Sequence, residues 1–433
     1  MTSYLGSRIR WILIVWMFVM SAVAYLDRVN ISIAAQAIQR DFQLSDIQLG
    51  WIFSAFVIGY ALSQAPGGWM ADRFGPRRVL TGGVVWWGLF TSLSALVPPM
   101  AGVVIVLIVV RFLLGVGEAV VYPASNRLVA SWIPSQERGL ANGLIFTGVG
   151  AGAGITPPLI TYVLTHYGWR WSFWVSAIVG CLAGIVWYFL ARDRPQQHPW
   201  VTKAELAHIE AGLPEPPAEL ETGKAVPWKA ILASKDVLLV TASYFAYGYT
   251  AYIFFSWFFI YLSRVRGLDL KASAVYSMLP FMAMAGGSLA GGFLSDRLMK
   301  AYGKRMGRCG LAAVGIGLAA VFVALGTQVE SAKLASIVLA GGAGALYLSQ
   351  SSYWSVTADI AGPSAGTVSG LMNMGGQIGS AVTASLTPFI AQRFSWPASF
   401  QVAAALCAFG ALAWLLVDPH AELAARKEAS RTI

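Results

Sequence analysis

Residues 11–26 read WILIVWMFVMSAVAYL, an uncharged stretch whose composition is typical of a helix inside a lipid bilayer. Comparable runs recur at 84–97, 103–110 and 311–325, interrupted mainly by Gly, Ser and Thr. Of the 433 residues, 57% are hydrophobic and 12% are charged, whereas a soluble domain carries about 25% charged residues. The composition excludes a soluble enzyme, a disordered chain and a nucleic-acid binder, and it predicts an all-α integral membrane protein.

The apolar runs predict twelve membrane-spanning helices. Their ranges are 11–33, 47–70, 79–98, 101–124, 139–165, 170–191, 237–263, 273–296, 309–327, 333–357, 366–392 and 397–418. A polar, proline-rich segment follows the sixth span, and within it Thr202 and Glu205 form a capping box for a short amphipathic helix. We therefore expect an N-terminal six-helix bundle at 1–191, a cytoplasmic linker at 192–235, and a C-terminal six-helix bundle with a cytoplasmic tail at 236–433.

The two halves of the chain repeat each other. Residues 68–73, GWMADR, recur as residues 292–297, GFLSDR. Residues 139–144, GLANGL, recur in the same order as residues 366–371, GTVSGL. Duplicated bundles with a binding site between them are the usual architecture of secondary transporters, so the repeat predicts that class.

Lys and Arg residues are distributed unequally between the two predicted sides of the membrane. Loops on the side of both termini hold 21 of the 30 Lys and Arg residues, and the opposite loops hold seven. Because positive residues accumulate in the cytoplasm, we expect both termini and the linker there, in a multi-pass protein of the cell inner membrane. The excess of Lys and Arg on the predicted cytoplasmic side thus explains the net charge of +10, and binding to nucleic acid is not needed to explain it. The expected partners are the lipid bilayer and a small solute, and we expect a monomer.

Four charged side chains lie deep within predicted spans: Asp27 and Arg28 on the first helix, Arg111 and Glu118 on the fourth. A charge at the centre of a spanning helix costs about 2.5–3.5 kcal/mol on insertion scales, so each charge needs a partner, water or a function. Arg111 and Glu118 are seven residues apart, which places them on one helix face about 10.5 Å apart along its axis. The four side chains can line one cavity, and their charges cancel when it is empty.

The second half lacks these deep charges. The positions that match Arg111 and Glu118 in the repeat are Val338 and Ala345. Placement in one half only favours a function over a structural role. We predict that Arg28 and Arg111 bind an anionic substrate, because a guanidinium group stays charged and can hold a carboxylate through two parallel hydrogen bonds. Ion pairs that only hold helices together are the alternative.

Asp27 and Glu118 are the candidates for proton coupling. A carboxyl group shielded from water retains a proton more readily, unless a nearby Arg stabilises its charged form. An anion that binds the Arg would therefore free the carboxylate to accept a proton. The sequence does not decide which of the two acids carries the coupled proton.

Uncharged polar side chains in other spans are candidates for binding the body of the substrate. Those of the second half are Tyr244, Tyr247, Tyr249 and Tyr252 on the seventh span, Gln350, Ser351 and Ser352 on the tenth, and Asn373 and Gln377 on the eleventh. Tyr25 and Tyr60 are similar candidates on the first two spans. These groups suit the hydroxyl groups of a sugar-like substrate. Hydrogen bonds between helices, or packing in the core, are the alternative for each.

The sequence contains no recognisable motif for a metal, a nucleophile or a cofactor. Residues 148–154 read GVGAGAG, but no predicted strand precedes them and no Gly-Lys-Ser/Thr ending follows. Close packing of helices is therefore a better interpretation of these glycines than a phosphate site. We expect neither enzyme activity nor a cofactor.

Residues 68–78, GWMADRFGPRR, resemble the signature between the second and third helices of the major facilitator superfamily, and residues 292–297 are similar to its second copy. Residues 111–123, RFLLGVGEAVVYP, together with residues 25–30, YLDRVN, resemble the anion:cation symporter family within that superfamily. The resemblance covers essentially the whole chain. It implies the major facilitator fold and proton-coupled symport of an organic anion, often a sugar acid such as a hexuronate, aldonate or aldarate.

The resemblance also implies roles for single residues. Asp27, Arg28, Arg111 and Glu118 match the positions that similar proteins use for substrate and protons. The motif around Asp72 matches a cytoplasmic gate that holds the outward-open state. The implied gate residues are Asp72, Arg73, Arg77, Asp296 and Arg297.

Two other kinds of function are the alternatives. An organophosphate:phosphate exchanger typically places an Arg from each half at its site, and the second half shows no deep Arg; exchange of another carboxylate is also open. A non-transporting sensor of the same anions needs an output domain, and the tail after Asp418 is short for one. The leading hypothesis is a sugar-acid:proton symporter, although Tyr244 stands where some similar carriers have an amide.

Overall fold

The structure is a computed structural model that describes residues 8–213, 227–258, 261–421 and 423; within these ranges it is helical and has no β-strand. The helices of the first half are α1 (Ile9–Phe42), α2 (Asp46–Phe74), α3 (Pro76–Leu96), α4 (Val103–Glu118), α5 (Val121–Trp132), α6 (Arg138–Tyr167) and α7 (Trp169–Leu190). Those that follow are α8 (Lys203–Gly212), α9 (Trp228–Ala233), α10 (Lys235–Ser256), α11 (Leu270–Lys304), α12 (Leu311–Gly326), α13 (Ala332–Leu348), α14 (Gln350–Ala361), α15 (Ala365–Arg393) and α16 (Trp396–Leu416).

Twelve membrane crossings follow from these helices. Among the described residues, 10 segments are long and apolar enough to span a bilayer, and two of them, 275–326 with 52 residues and 332–393 with 62, are double. At 1.5 Å per residue, each of these two segments is more than twice as long as the about 30 Å of hydrocarbon core. Gly303 and Gly362, whose φ values are 82° and 50°, reverse the chain within them. The predicted all-α membrane fold is thereby confirmed.

The helices of the two halves pack in the same pattern. In the first half α1 packs on α6, α2 on α4 and α3 on α7; in the second half α10 packs on α15, α11 on α13 and α12 on α16. The most extensive contacts between the halves are those of α2 with α15 and of α6 with α11. The repeated sequences lie at these two contacts, since 68–73 on α2 faces 366–371 on α15, and 292–297 on α11 faces 139–144 on α6.

Glycines allow the backbones of α2 and α4 to approach closely. A Cβ atom on Gly115 would overlap the carbonyl oxygen of Phe56, and one on Gly59 would overlap that of Phe112. Small residues of this kind permit close helix packing inside a membrane, where the hydrophobic effect does not drive association. The approach brings the deep charges of α4 against the aromatic side chains of α2.

The linker helix α8 packs on the start of α1. Glu205 accepts hydrogen bonds from the backbone N–H groups of Ile9 and Arg10, both at 3.2 Å, and thereby caps α1. Arg10 also binds Glu137 at 3.0 Å, and His208 lies 2.8 Å from the same carboxylate. We call the side of the molecule that carries α8 the linker face. Predicted linker residues 214–226 and most of the predicted tail lie outside the described residues.

Candidate functional site

Arg28 and Glu118 form an ion pair that joins α1 to α4. Arg28 donates its Nε–H to Glu118 Oε1. The Glu118 side chain is fully buried, whereas that of Arg28 is 16% exposed. The Glu118 carboxylate is therefore shielded from solvent, whereas the Arg28 side chain is partly accessible.

Asp27 is adjacent to Arg28 in sequence but has different partners. Thr91 on α3 donates its hydroxyl to Asp27 Oδ2 at 2.8 Å. The other carboxylate oxygen of Asp27, Oδ1, has no hydrogen-bond partner within the described residues, and neither do Nε and Nη1 of Arg111 on α4. Adjacent residues of a helix point about 100° apart, which explains why the neighbours on α1 serve different sides of the site.

Aromatic rings surround both guanidinium groups. The Arg28 Cζ atom lies 4.1 Å from the ring centroid of Tyr60, 5.0 Å from that of Tyr25 and 5.5 Å from that of Phe56. The Arg111 Cζ atom lies 4.9 Å from the same Phe56 ring. Rings at these distances stabilise a cation without neutralising it. The rings thus stabilise the positive charge of both guanidinium groups.

Polar atoms of all four deep charges lack a hydrogen-bond partner within the described part of the chain. They are Asp27 Oδ1, Arg28 Nη2, Arg111 Nε and Nη1, and Glu118 Oε2. A buried polar group without a partner costs free energy, more so when it is charged, so such a group needs a specific explanation. A bound anion would satisfy the free N–H groups of Arg28 and Arg111, and a proton would satisfy a free carboxylate oxygen.

The polar candidates of the second half have different surroundings. Gln350 donates to the hydroxyl of Tyr244 at 3.1 Å, and the Tyr244 ring stacks on Tyr247 with centroids 4.9 Å apart. Ser351 is buried on α14 next to Gln350. Asn373 on α15 instead donates to Gln64 on α2 at 2.9 Å. Its amide thus joins the two halves.

An aromatic cluster of both halves lies between the charges and the linker face. Tyr122, four residues after Glu118, stacks on Phe146 at 5.0 Å between centroids. Trp354 of α14 lies 5.9 Å from Tyr122 and 5.0 Å from Phe146. All three side chains are buried. They close the site on this side.

Asp72 and Asp296 bind the start of a helix in the opposite half. Asp72 on α2 accepts hydrogen bonds from the backbone N–H groups of Gly366 at 2.9 Å and Thr367 at 2.7 Å. Asp296 on α11 accepts them from Gly139 at 2.8 Å and from Leu140 at 2.6 Å. The first N–H groups of a helix are unpaired within it and carry a partial positive charge, so a carboxylate is a favourable partner. Both contacts lie on the linker face.

The basic residues predicted for this gate stay within their own halves. Arg73 lies near the ring of Trp69, with its Cζ atom 5.7 Å from the centroid, and Arg297 lies 5.8 Å from that of Phe293. Arg77 donates to the Tyr188 carbonyl at 2.9 Å. None of these three contacts joins the two halves. In the structure the two acids of the predicted gate, Asp72 and Asp296, therefore contact the starts of helices. They do not form these contacts with the three predicted gate arginines.

Other arginines, which the sequence analysis treated only as loop charges, bind the acids of the linker face. Arg127 Nε lies 3.5 Å from Asp72 and belongs to α5, which extends beyond the predicted fourth span. Arg308 is buried and donates to Asp296 at 2.9 Å. Arg138 donates to Asp359 in the other half. The position of Arg138 directly before the repeated segment 139–144 is the one sequence feature that could have identified it.

In the described residues we find no group of three or more His, Cys, Asp or Glu side chains that could hold a metal ion. The polar groups that the structure brings together at the site are those of arginines, carboxylates and hydroxyl groups. Two related bundles around a buried charged site define a membrane transport protein.

The sequence matches the Major Facilitator Superfamily over residues 17–384 and 298–432, and the chain belongs to this superfamily. It is 37% identical to the probable sulfoacetate transporter of Cupriavidus necator, over 93% of this chain and 92% of that protein. It is 30% identical to the hexuronate transporter of Bacillus subtilis, over 92% of each chain. The crystal structure of the Escherichia coli fucose:proton symporter FucP has the same fold, with a TM-score of 0.70 at 14% identity, covering 95% of this chain and 99% of that one. These findings confirm the predicted family and a transporter rather than an enzyme.

Proposed function

We propose that the protein is a secondary active transporter that carries an organic anion together with protons. The ion pair between Arg28 and Glu118, with free N–H groups on Arg28 and on the neighbouring Arg111, is the observation that most supports this proposal. Sugar acids are the class that the sequence resemblance favours. Hexuronate and sulfoacetate, which two of the relatives are named for, are both carboxylate anions, so these names also support an anionic substrate.

The coupling follows from competition for the arginines. An incoming carboxylate that binds Arg28 takes the place of Glu118, which then lies in a low-dielectric site without its cation. Protonation of Glu118 removes that unfavourable charge, so anion and proton bind together. Asp27 can act in the same way when the anion draws Arg111 away from it. The hydroxyl of Tyr244 and the amide of Gln350 are available for the body of the substrate.

Alternating access supplies the movement. We propose that the linker face is cytoplasmic, as the distribution of Lys and Arg predicts, in a protein of the inner membrane that works as a monomer. With Asp72 and Asp296 both bound to the opposite half, the cytoplasmic side is closed and the site serves the outside. Two bundles, divided at the predicted linker 192–235, would then move against each other and expose the site to the cytoplasm.

The test is uptake of labelled carboxylates by proteoliposomes that contain the purified protein. The panel holds hexuronates, aldonates, aldarates, sulfoacetate and sugar phosphates, each measured with and without an imposed pH gradient. The proposal predicts that at least one organic acid accumulates only when the outside is acidic. Uptake restricted to sugar phosphates would favour the exchanger, and tight binding without flux would favour the sensor; either result would refute the proposal.

A further inference from the structure

Away from the charged site, an apolar groove lies between α2 of the first half and α15 of the second. Its volume is about 690 Å³, within the range of about 300–1,000 Å³ that is usual for ligand pockets. Ile58, Ala61 and Leu62 belong to one wall, and Ala381 and Val382 belong to the other. Both halves of the chain therefore build this groove, which we call the α2–α15 groove.

The groove lies at the depth of the hydrocarbon core. Segments 48–74 and 332–393, which carry its two walls, are long and apolar enough to span a bilayer. The side chains of Ile58 and Leu62 at its rim are more than half exposed. Exposed apolar side chains at this depth contact lipid chains, which are as apolar as the side chains themselves. A hydrocarbon chain is therefore the ligand whose chemistry fits the groove.

The groove begins where the contact between α2 and α15 ends. Towards the linker face, the two backbones approach most closely at Gly68 and Gly366, and Asn373 donates to Gln64 at 2.9 Å. Gln377, one helical turn beyond Asn373, already lines the groove. Beyond this turn the two helices are far enough apart to leave open space between them. The groove is thus continuous with the contact that joins the halves.

The length of the groove matches one leaflet of a bilayer. Gln377 and Phe389 both line the groove, and α15 rises about 18 Å between them. This rise is slightly more than half of a hydrocarbon core of about 30 Å. Because α15 begins on the linker face, the groove lies in the opposite leaflet. A lipid of that leaflet can lay one acyl chain along it, and the small side chains of Ala61 and Ala381 leave room for the chain.

A cation lies at the outer end of the groove. Arg393 is the last residue of α15, is exposed, and follows Phe389 by one helical turn, so the two residues share a helix face. On α2, the exposed Trp51 precedes Ile58 by two turns and shares its face. Arg and Trp side chains are typical anchors at the membrane–water interface, where a cation attracts anionic headgroups. The apolar groove and this cation together match the two parts of an anionic lipid.

We propose that the α2–α15 groove binds an anionic phospholipid of the leaflet opposite the linker face. One acyl chain lies between the helices, against Ala61 and Ala381, and the phosphate lies at Arg393. A chain in this position keeps the two helices apart on the outer side. On the basis of the proposed alternating access, the bound lipid therefore stabilises the conformation in which the linker face is closed.

The site is tested with phosphatidylglycerol that carries a photoreactive diazirine in one acyl chain. The purified protein is reconstituted in phosphatidylcholine vesicles that contain the labelled lipid, and mass spectrometry locates the labelled residues after irradiation. We expect labelling of 57–62 and 377–389 at least fivefold above that of the exposed face of α12 around Val321. Equal labelling of the two surfaces would show that only bulk lipid contacts the groove, and it would overturn the proposal.

A variant that fills the groove provides a second measurement. Ala381 is exposed, so Ala381→Trp should fold, and its indole ring should lower the labelling of 57–62 at least fivefold. Val321→Trp places the same ring on the exposed face of α12 and is the matched control, which should leave this labelling unchanged. Undiminished labelling in a folded Ala381→Trp protein would refute the site.

The position of the headgroup is tested separately. Arg393→Gln should reduce labelling of the groove by phosphatidylglycerol about fivefold, because one cation near the surface contributes that much to binding of an anionic lipid. Labelling by phosphatidylcholine with the same diazirine chain should change little. An unaltered preference for phosphatidylglycerol in Arg393→Gln would refute the placement of the phosphate.

A second copy of the chain is the other possible occupant of an apolar groove in a membrane. If two copies met here, Leu62→Cys proteins would form disulfide-linked dimers in vesicles, and the groove would not be labelled by the photoreactive lipid. This result would overturn the proposal. We expect the reverse, monomers that are labelled.

The effect on conformation is measured by alkylation of Ser369→Cys, a buried position on α15 near the contact with α2. Phosphatidylglycerol added to the protein in detergent should slow alkylation at least threefold. With Ala381→Trp in the same chain, alkylation should be slow without lipid, because the indole ring occupies the groove. Alkylation that does not respond to lipid would refute the conformational effect. No substrate is used in these measurements, so failure of the proposed transport would not be mistaken for failure of the lipid site.

Discussion

Asp72 and Asp296 make equivalent contacts in opposite directions. Each carboxylate accepts hydrogen bonds from two consecutive backbone N–H groups at the start of a helix in the other half, those of Gly366 and Thr367 for Asp72. Each half thus supplies one carboxylate, which binds the start of one helix in the other half. Both contacts join the halves on the linker face, so both must break before the site can open there.

Replacement of Asp72 by Asn should weaken the closed linker face. Asn retains one acceptor oxygen but loses the charge, and hydrogen bonds to a charged group contribute about 1.5–3 kcal/mol. We expect about a tenfold increase in the open population, since 1.4 kcal/mol is a factor of ten. Alkylation of a cysteine at Ser369→Cys, a buried position on α15, measures the opening by mass spectrometry.

Asp193→Asn is the matched control, because its carboxylate, at the start of the predicted linker, accepts from the Arg77 N–H of the first half. This variant should leave alkylation unchanged. Equal alkylation of the Asp72→Asn and unmodified proteins would show that the contact does not hold the halves together.

Gly68→Ala should disturb the contact between α2 and α15. A Cβ atom at this position would overlap the carbonyl oxygen of Gly366, which belongs to the backbone and cannot move aside. We expect a lower midpoint of thermal unfolding and slower uptake. Gly82→Ala is the control, since nothing lies within 4 Å of its Cβ position and Ala favours a helix by about 1 kcal/mol. A Gly68→Ala protein as stable and active as this control would contradict the predicted clash.

Thr91→Val should shift the dependence of uptake on pH. Valine has nearly the shape of threonine but cannot donate to Asp27, so the ionised carboxylate loses a stabilising hydrogen bond. The carboxyl group then binds its proton more readily, and the uptake profile should move towards alkaline pH. Thr91→Ser keeps the hydroxyl donor and should therefore keep the pH profile of the unmodified protein. An unchanged profile in a folded Thr91→Val protein would exclude Asp27 from the coupling.

Arg111→Gln and Glu118→Gln should separate binding from coupling. Arg111→Gln removes the free guanidinium donors, so anion binding should fall below detection in equilibrium binding assays. Glu118→Gln remains neutral throughout, so it should retain exchange of internal for external substrate and lose accumulation driven by a pH gradient. Normal accumulation by Arg111→Gln, or by Glu118→Gln, would show that the role assigned to that residue is wrong.

His198 should make the linker sensitive to acid. Burial lowers the pKa of His198 below its ordinary 6.5, and its neutral ring accepts from the Trp200 N–H while Nε2 donates to the Leu190 carbonyl. Because the folded-state pKa is lowered, the neutral ring contributes its full stability to the fold at pH values above the ordinary histidine pKa of 6.5. This contribution is lost as the pH falls through the folded-state pKa. We expect faster proteolysis near residues 198–200 at mildly acidic pH.

Two variants check the origin of that change. His198→Gln should remove most of the acid dependence of proteolysis, whereas His420→Gln, an exposed position, should keep it. Identical acid dependence in the His198→Gln and unmodified proteins would attribute the effect to another group.

The fold could be predicted because the bilayer constrains sequence strongly. Twelve apolar runs and two pairs of repeated motifs were enough for the architecture, and the close approach of Gly68 to Gly366 explains why the motifs repeat. The helix bounds were harder, since α5 continues past the predicted span and carries Arg127 to Asp72. Where a helix leaves the hydrocarbon region its composition becomes ordinary, so hydropathy cannot locate its end.

The site was only partly predictable for a related reason. A deep charge such as Arg28 is conspicuous in an apolar helix, but its partner depends on the rotation of that helix against its neighbours. Phe56, which lies against both arginines, was not singled out because an aromatic residue in a membrane helix is unremarkable by itself. Asn373 resembles a substrate ligand in sequence, and only the packing of α15 on α2 brings its amide to Gln64.

All four deep charges lie on α1 and α4 of one bundle, so in the proposed alternating access they would move together with that bundle. Substitutions in the opposite bundle, which presents Tyr244 and Gln350, can then change the shape of the site without changing how the negative charge of the substrate is bound. A chimera that combines this first half with the second half of a relative should therefore still require a negatively charged substrate. Its preference for the carbon skeleton of that substrate should change.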